Sequence, residues 1–434
     1  MNPGLVVKLR PAGPWRIGPE SGARNRVDMV YHSDSLYSAV TGAMARLGSL
    51  EEWLDATARG ESAAVCFSSC FPFVDEIGFV VPPRTMWPPS SPAMMSARVR
   101  WKSARFVPLG IVQSIVAGQP LHEDQWAVDG PSECLVPAGR SGPFRTSLRG
   151  NAAVDRLTGA TERHSIACLE FRPGAGLWTV VSFRDEDARA RWSDPLKAAF
   201  RLLADSGFGG ERSRGWGRAE APEFIEGSLP DMILPAAGAV RAAEAVVEGE
   251  GTAPSGRGSE DGVAASDVAA SEVAATDVAP PDVAPLDVAP GEGEEPQPAA
   301  EEPPATEAAA PVEEPSAEPA PEQNPPERDP VPEPLPGAPS GVAAHWLLSL
   351  FAPGGSDAVD WQRGNYTLVA RSGRVESPAG SGELKKHVQM VTEGSVIYAA
   401  RAPRGSAPDV APEGFAHPVF RAGFAVAIPL PEAR

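Results

Sequence analysis

Apolar residues recur with two distinct periods along the first 235 positions. Leu5-Val6-Val7-Lys8-Leu9-Arg10 alternates apolar with polar or small positions, which predicts a half-buried strand. From His32-Ser33-Asp34 the spacing changes. Leu36, Val40, Ala43, Met44 and Leu47 share one side of a predicted helix that Gly48 ends. Ser33 is its expected N-cap, with Asp34 in the first turn, where a carboxylate is favoured. Val65–Phe67 and Gly78–Val81 read as short strands on either side of Phe71-Pro72-Phe73. Leu196, Ala199, Phe200 and Leu203 predict a second helix from about Ser193 to Asp205, with Pro195 in its first turn and Gly207 as its C-cap. A strand near Ala219–Ile225 follows. Strand, helix, two strands, helix, strand is the ferredoxin-like βαββαβ order, so the expected class is α+β.

Between the third predicted strand and the second helix lies an insertion, about 83–190. It holds Arg84, Arg98, Arg100, Lys102, Arg105, Arg140, Arg145, Arg149, Arg156 and Arg163. Trp87, Met94, Met95, Trp101, Phe106 and Phe144 are interleaved with them. Cation beside aromatic in an excursion from the core predicts an RNA-contacting surface. A second folded part is expected over 341–434. It should be β-rich, with strands at Trp346–Phe351, Tyr366–Arg371, Ser395–Ala400 and Val419–Ile428, and one short helix near Lys385–Val391. At that length it should pack on the first part, 1–235.

Charge separates these parts from what joins them. The net charge is −19, yet residues 241–340 alone hold 23 acidic and 3 basic residues, while the rest holds 34 and 35. That segment has no Phe, Trp or Tyr, and Ser266 to Pro290 is five tandem pentads of the form x-[Asp/Glu]-Val-Ala-[Ala/Pro]. Such a composition cannot bury enough apolar surface to offset its ordering entropy, so 236–340 is expected to be a disordered acidic linker. The folded parts are near neutral, and local arginine clusters in them can still meet phosphate.

The densest candidate chemistry is Gly207-Phe208-Gly209-Gly210-Glu211-Arg212-Ser213-Arg214-Gly215-Trp216-Gly217. Its glycines allow sharp turns, positive φ and close backbone approach. Arg212, Arg214 and the following Arg218 offer guanidinium forks for phosphate, and Phe208 and Trp216 offer flat faces for a base. Together they predict a cradle for the backbone of a single-stranded nucleic acid. Arg24, Arg26, Arg149, Arg156 and Arg163 are second-rank contacts. His32, at a helix start near Arg24 and Arg26, is expected to support the pocket; as a general base it could instead activate a ribose 2′-hydroxyl. Glu211 is expected to pair with Arg212 or Arg214, and Asp155 with Arg156. Cys66, Cys70, Cys134 and Cys168 make no CxxC pair, and the six histidines make no HxxxH or HxH. No metal site is expected. The first ten residues lack an apolar core and no apolar run reaches about twenty residues, which predicts a cytoplasmic protein without a membrane partner.

In order along the chain, several segments carry a family likeness. They are His32-Ser33-Asp34-Ser35-Leu36, Ser68-Ser69-Cys70-Phe71-Pro72, Phe106-Val107-Pro108-Leu109, Asn151–Thr161, Asp205–Gly217, Leu347–Pro353, Arg371-Ser372-Gly373-Arg374, Lys385-Lys386, Glu393-Gly394-Ser395-Val396 and His417-Pro418-Val419-Phe420-Arg421. With them the chain resembles the RAMP subunit of type III-A (Csm-type) CRISPR effector complexes that binds the 5′ end of the CRISPR RNA. The resemblance implies two ferredoxin-like (RRM-like RAMP) units, a basic thumb-type hairpin from the insertion, and no nuclease activity or cofactor. It also implies that the glycine-rich loop holds the repeat-derived 5′ tag, with target RNA nearby. The implied protein partners are a large polymerase-like subunit and a repeated backbone RAMP subunit. The runner-up expectation is a metal-independent endoribonuclease that processes CRISPR precursor RNA through His32.

Overall fold

The structure, a computed structural model, describes residues 2–19, 22–89, 99–235, 341–377 and 380–431. The expected linker over 236–340, and Met94, Met95 and Arg98 of the basic stretch, lie outside them. In chain order the N-terminal part forms β1 (Asn2–Leu9), α1 (Ser33–Arg46), α2 (Leu50–Ala56), β2 (Val65–Phe67), β3 (Phe71–Val74), β4 (Ile77–Val80), β5 (Val107–Pro108), α3 (Leu109–Val116), β6 (Trp126–Asp129), β7 (Cys134–Pro137), β8 (Phe144–Val154), β9 (Thr161–Phe171), β10 (Ala175–Phe183), α4 (Glu186–Ser206) and β11 (Glu223–Leu229). The fold is α+β, with an antiparallel sheet in the order β11-β1-β10-β3-β4-β5.

β1 sits between β10 and β11, pairing Leu5 with Val181 and with Glu226. β10 is buried at every position, as a central strand covered on both faces must be. It belongs to the stretch expected as a surface insertion. The excursion therefore leaves the sheet after β3 and β4 and returns at β10, before the helix is reached. A continuous apolar run, Ala175-Gly176-Leu177-Trp178-Thr179-Val180-Val181, has no alternation to mark it as a strand. Its aromatic neighbours are core too: Trp101, Phe106 and Phe144 are buried, and Trp87 stacks on Trp101 at 5.6 Å.

Leu36, Val40, Ala43 and Met44 are buried where α1 packs beside α4, each larger side chain contributing roughly 1.5–3 kcal/mol. Leu47 departs from the expected stripe. It is the C-cap residue and is 44% exposed. α4 begins seven residues before the expected start, because Asp185 is its N-cap and accepts from the Ala188 N–H at 2.7 Å. Pro195 thus lies inside the helix, and Trp192 extends the buried stripe.

β2 and β3 both pair with β10, in succession along its length. Between them Ser68 stays on the sheet, its N–H donating to Val180 O, while Ser69 swings out and donates to Leu348 O. This break in the edge of the sheet delivers Ser69 to the C-terminal part.

The C-terminal part forms β12 (Ala343–Leu347), β13 (Val359–Asn365), β14 (Leu368–Arg371), β15 (Arg374–Ser377), β16 (Gly380–Leu384), β17 (Val388–Val391), β18 (Val396–Ala399) and β19 (Ala427–Leu430). Four of these make an antiparallel sheet in the order β13-β18-β12-β19. The expected helix over Lys385–Val391 is instead β17, paired with β14. The expected strand over Val419–Ile428 is regular only from Ala427. One core runs through both parts: Trp346, Leu348, Val396 and Phe424 join the cluster built on β1, α1 and β10. The Trp346 indole N–H donates to Val81 O at 3.1 Å, and Phe424 meets Tyr37 edge-on at 5.7 Å.

Candidate nucleic-acid interface

The glycine-rich loop follows α4 and folds back on the segment after β1. Gly207 ends the helix at φ +79°, its N–H donating to Leu203 O at 2.8 Å. Phe208 is buried against Trp15 at 4.6 Å and Tyr31 at 5.1 Å, both edge-on, so it offers no face to a base. Gly209 stands at φ +90°, where a β-carbon would lie 2.6 Å from Arg16 O. At Gly217, φ is +78° and a β-carbon would lie 2.0 Å from Phe208 O. These two glycines serve close approach of the chain to itself. The N–H groups of Phe208, Gly210 and Gly217 donate to Gly217 O, Arg16 O and Pro14 O.

The outer limb of the loop is different. Glu211 takes left-handed φ of +60°, and Arg212, Ser213 and Arg214 form one exposed 3₁₀ turn ending at Gly215, with open space around it. Arg214 pairs with Glu211 at 3.1 Å and donates to the Asn151 amide oxygen on β8. Trp216 is half-buried.

Sequence reasoning missed the residue that organises this region, Arg16. It is 7% exposed, and all four of its guanidinium acceptors are peptide carbonyls: Ala23 at 3.0 Å, Arg24 at 2.9 Å, Arg26 at 3.3 Å and Ala167 at 2.8 Å. Burial lowers its pKa, against the field of nearby Glu211. Its own carbonyl holds Gly210 at 2.8 Å. The loop bearing exposed Arg24 and Arg26, the glycine-rich loop and the stem of the β8–β9 hairpin thus meet on one buried residue. The one signal for it was an arginine flanked by Trp15 and Ile17, both buried.

The β8–β9 hairpin pairs eleven positions, from Phe144 with Phe171 to Val154 with Thr161. At about 3.3 Å per residue it reaches roughly 35 Å. Phe144, Cys168 and Leu169 anchor its base, whereas Arg149, Arg156 and Arg163 lie exposed farther out. Arg145 and Arg149 both pair with Glu170. Asp155 does not pair with Arg156 as expected. Its carboxylate accepts from the Leu157 N–H and the Thr158 hydroxyl, shaping a turn that leaves Leu157 96% exposed.

His32 lies elsewhere, in the joint between the two parts. Its Nδ1 is 2.8 Å from Glu393 and its Nε2 is 3.4 Å from Asp28. Burial opposes its charge, but Glu393 and Asp28 outweigh burial and push its pKa up to about 9. Glu393 also accepts from the Ser69 hydroxyl. Two residues along, Asp34 receives Arg371 at 2.9 Å and Arg421, which hold its pKa low despite complete burial. Ser33 does not cap α1. Its hydroxyl instead accepts from the Leu350 N–H at 3.0 Å.

Among the described residues, no group of three His, Cys, Asp or Glu side chains could hold a metal ion, and no helix is long and apolar enough to cross a membrane.

The fold recurs in CRISPR effector assemblies. A chain of the crystal structure of a Csm3-Csm4 subcomplex in the type III-A CRISPR-Cas interference complex matches with a TM-score of 0.50 at 12% identity, over 98% of this chain and 99% of that one. A crystal structure of a Csm1-Csm4 cassette in complex with cA4 matches at 0.47 and 13%, over 100% and 99%. Another of that cassette with pppApA matches at 0.45 and 13%, over 99% and 100%. No curated protein matches the sequence. The fold is therefore shared with a chain of a type III-A complex, in line with the resemblance. Residues 342–430 match the family described as the CRISPR Csm4 C-terminal domain.

Proposed function

We propose that the protein is a non-catalytic subunit of a type III-A CRISPR interference ribonucleoprotein of the cytoplasm, acting in antiviral defence. It binds and caps the 5′ tag of the CRISPR RNA and links the large polymerase-like subunit to the repeated backbone subunit. The observation that carries this reading is the convergence on Arg16. Exposed Arg24, Arg26, Arg212 and Arg214 stand on loops drawn together there, beside a long hairpin that carries exposed Arg156 and Arg163. Guanidinium groups spaced along such a surface suit the sugar–phosphate edge of single-stranded RNA. In this reading the order β11-β1-β10-β3, with α1 and α4, is one ferredoxin-like unit, and 341–434 is the second. The β8–β9 hairpin is the thumb, directed with exposed Leu157 toward the guide–target duplex. The acidic segment 236–340 joins the two units.

A binding role, not catalysis, is supported by the state of His32. A general base needs a free ring nitrogen within reach of a substrate hydroxyl. His32 is 8% exposed, with a carboxylate against each nitrogen.

The test is the Arg212→Ala/Arg214→Ala double variant in the purified complex. Guide RNA content should fall, and the salt slope of tag binding should become shallower by about one unit for each phosphate that no longer meets an arginine. Unchanged content and slope would overturn the reading. Incubation with precursor RNA in EDTA discriminates the enzyme: a 2′,3′-cyclic phosphate product, abolished by His32→Ala, would favour the endoribonuclease.

A further inference from the structure

Arg16 holds an unusual position for a cation. It is buried, yet each of its four acceptors is a neutral peptide oxygen. Carbonyls can satisfy its N–H groups, but they leave the unit charge in place, offset only in part by the field of nearby Glu211. Burying that charge is unfavourable, so the arrangement calls for a compensating role.

Its partners indicate the role. Turning the carbonyls of Ala23, Arg24 and Arg26 inward onto one guanidinium fixes the peptide planes of this loop. The side chains of Arg24 and Arg26 are then left outside. Ala167 ties the same guanidinium to β9, and the Ala167 N–H returns to Arg24 O at 2.8 Å. The stem of Arg16 shapes the second loop. A β-carbon on Gly210 would stand 3.1 Å from Arg16 Cδ, and the Gly210 N–H donates to Arg16 O. Gly210 leads directly into the exposed Arg212–Arg214 turn. One residue therefore ties both loops that carry the exposed arginines, the first through its guanidinium and the second through its carbonyl and the packing of its stem.

We propose that Arg16 is the positioning residue of the RNA face: it holds Arg24 and Arg26 in register with Arg212 and Arg214 for successive phosphates of single-stranded RNA, without touching the RNA itself. This rests on the RNA-binding reading above. Lysine cannot replace it, because one ammonium nitrogen has three donors and cannot serve both the three carbonyls at Nη1 and the Ala23 carbonyl at Nη2.

The experiment measures binding of a labelled single-stranded RNA carrying the repeat-derived 5′ tag to the full chain over a salt series. Arg16→Lys should weaken binding about tenfold, the scale of one charge-assisted hydrogen bond, with the salt slope unchanged. Arg24→Ala/Arg26→Ala should weaken binding and flatten the slope. In that double variant Arg16→Lys should cost less than about twofold more, since the groups it positions are gone. A general structural role would give the same factor in both backgrounds and would overturn the proposal, as would a slope reduced by Arg16→Lys alone.

Hydrogen exchange in the unmodified protein decides the matter should Arg16→Lys not fold. The Asp28 and Ala167 amides, which donate to Ile17 O and Arg24 O, should be protected before RNA is added. Protection that arises only with RNA would mean that the loop is not preorganised and would overturn the assignment. If the unmodified chain binds no tag RNA, the RNA reading itself falls. If the parent binds and Arg16→Lys binds equally well, only the role of Arg16 falls.

Discussion

Two groups of arginines in this molecule do opposite things. Arg371 and Arg421 are 5% and 8% exposed and converge on one buried carboxylate, Asp34. Arg24, Arg26, Arg212 and Arg214 are exposed, on loops held from behind by Arg16. In the first group one carboxylate holds two cations inside the fold, and it joins the N-terminal part to the C-terminal part. In the second the charge faces solvent, where a polyanion can meet it. The difference teaches that an arginine's function is set by whether its charge is buried against a distant carboxylate or left at the surface, which linear spacing does not encode. Asp34 meets partners 337 and 387 residues away.

The largest expected effect breaks the buried group. Asp34→Ala leaves two guanidinium groups without their carboxylate and should destabilise the protein by about 3–5 kcal/mol, read from the midpoint of urea unfolding. If the midpoint stays put, the joint does not depend on this ion pair.

Next comes pH. The folded pKa of His32 is raised to about 9, above its ordinary 6.5. Its contribution to stability is therefore fully present below about pH 6.5 and declines as pH rises, being lost once the folded pKa is passed. A shift of this size corresponds to on the order of 3 kcal/mol. Unfolding measured from pH 6 to 10 should show the decline, and Glu393→Gln should flatten it. An equal slope in the variant would contradict the pairing.

The smallest effect compares the two limbs of the glycine-rich loop. Gly217→Ala must place a β-carbon 2.0 Å from Phe208 O at positive φ, for a loss of about 3 kcal/mol. Gly215→Ala has the same φ of +78° but open space, so about 1 kcal/mol is expected. Thermal unfolding of the two variants checks the order. Equal losses would mean that the limbs are not built differently.

The sequence by itself determined the elements whose signal is local. The stripe of α1, the glycine end of α4, the strand nature of β1 and the β-rich character of the C-terminal part were legible from periodicity and turn residues within a few positions. The exposed cations Arg24, Arg26, Arg212 and Arg214 were legible as well, because a loop glycine and an arginine carry their character with them. Tertiary structure decided the rest. β10, buried on both faces, shows no alternation, so the excursion could not be placed correctly between the strands that flank it. Phe208, read as a stacking face, is core because Trp15 and Tyr31 arrive from elsewhere in the chain. His32 is held by a carboxylate 361 residues away, and Arg16 gained its place from carbonyls on two separate segments. Burial and charge pairing are sums over neighbours in space, and only the folded chain specifies who those neighbours are.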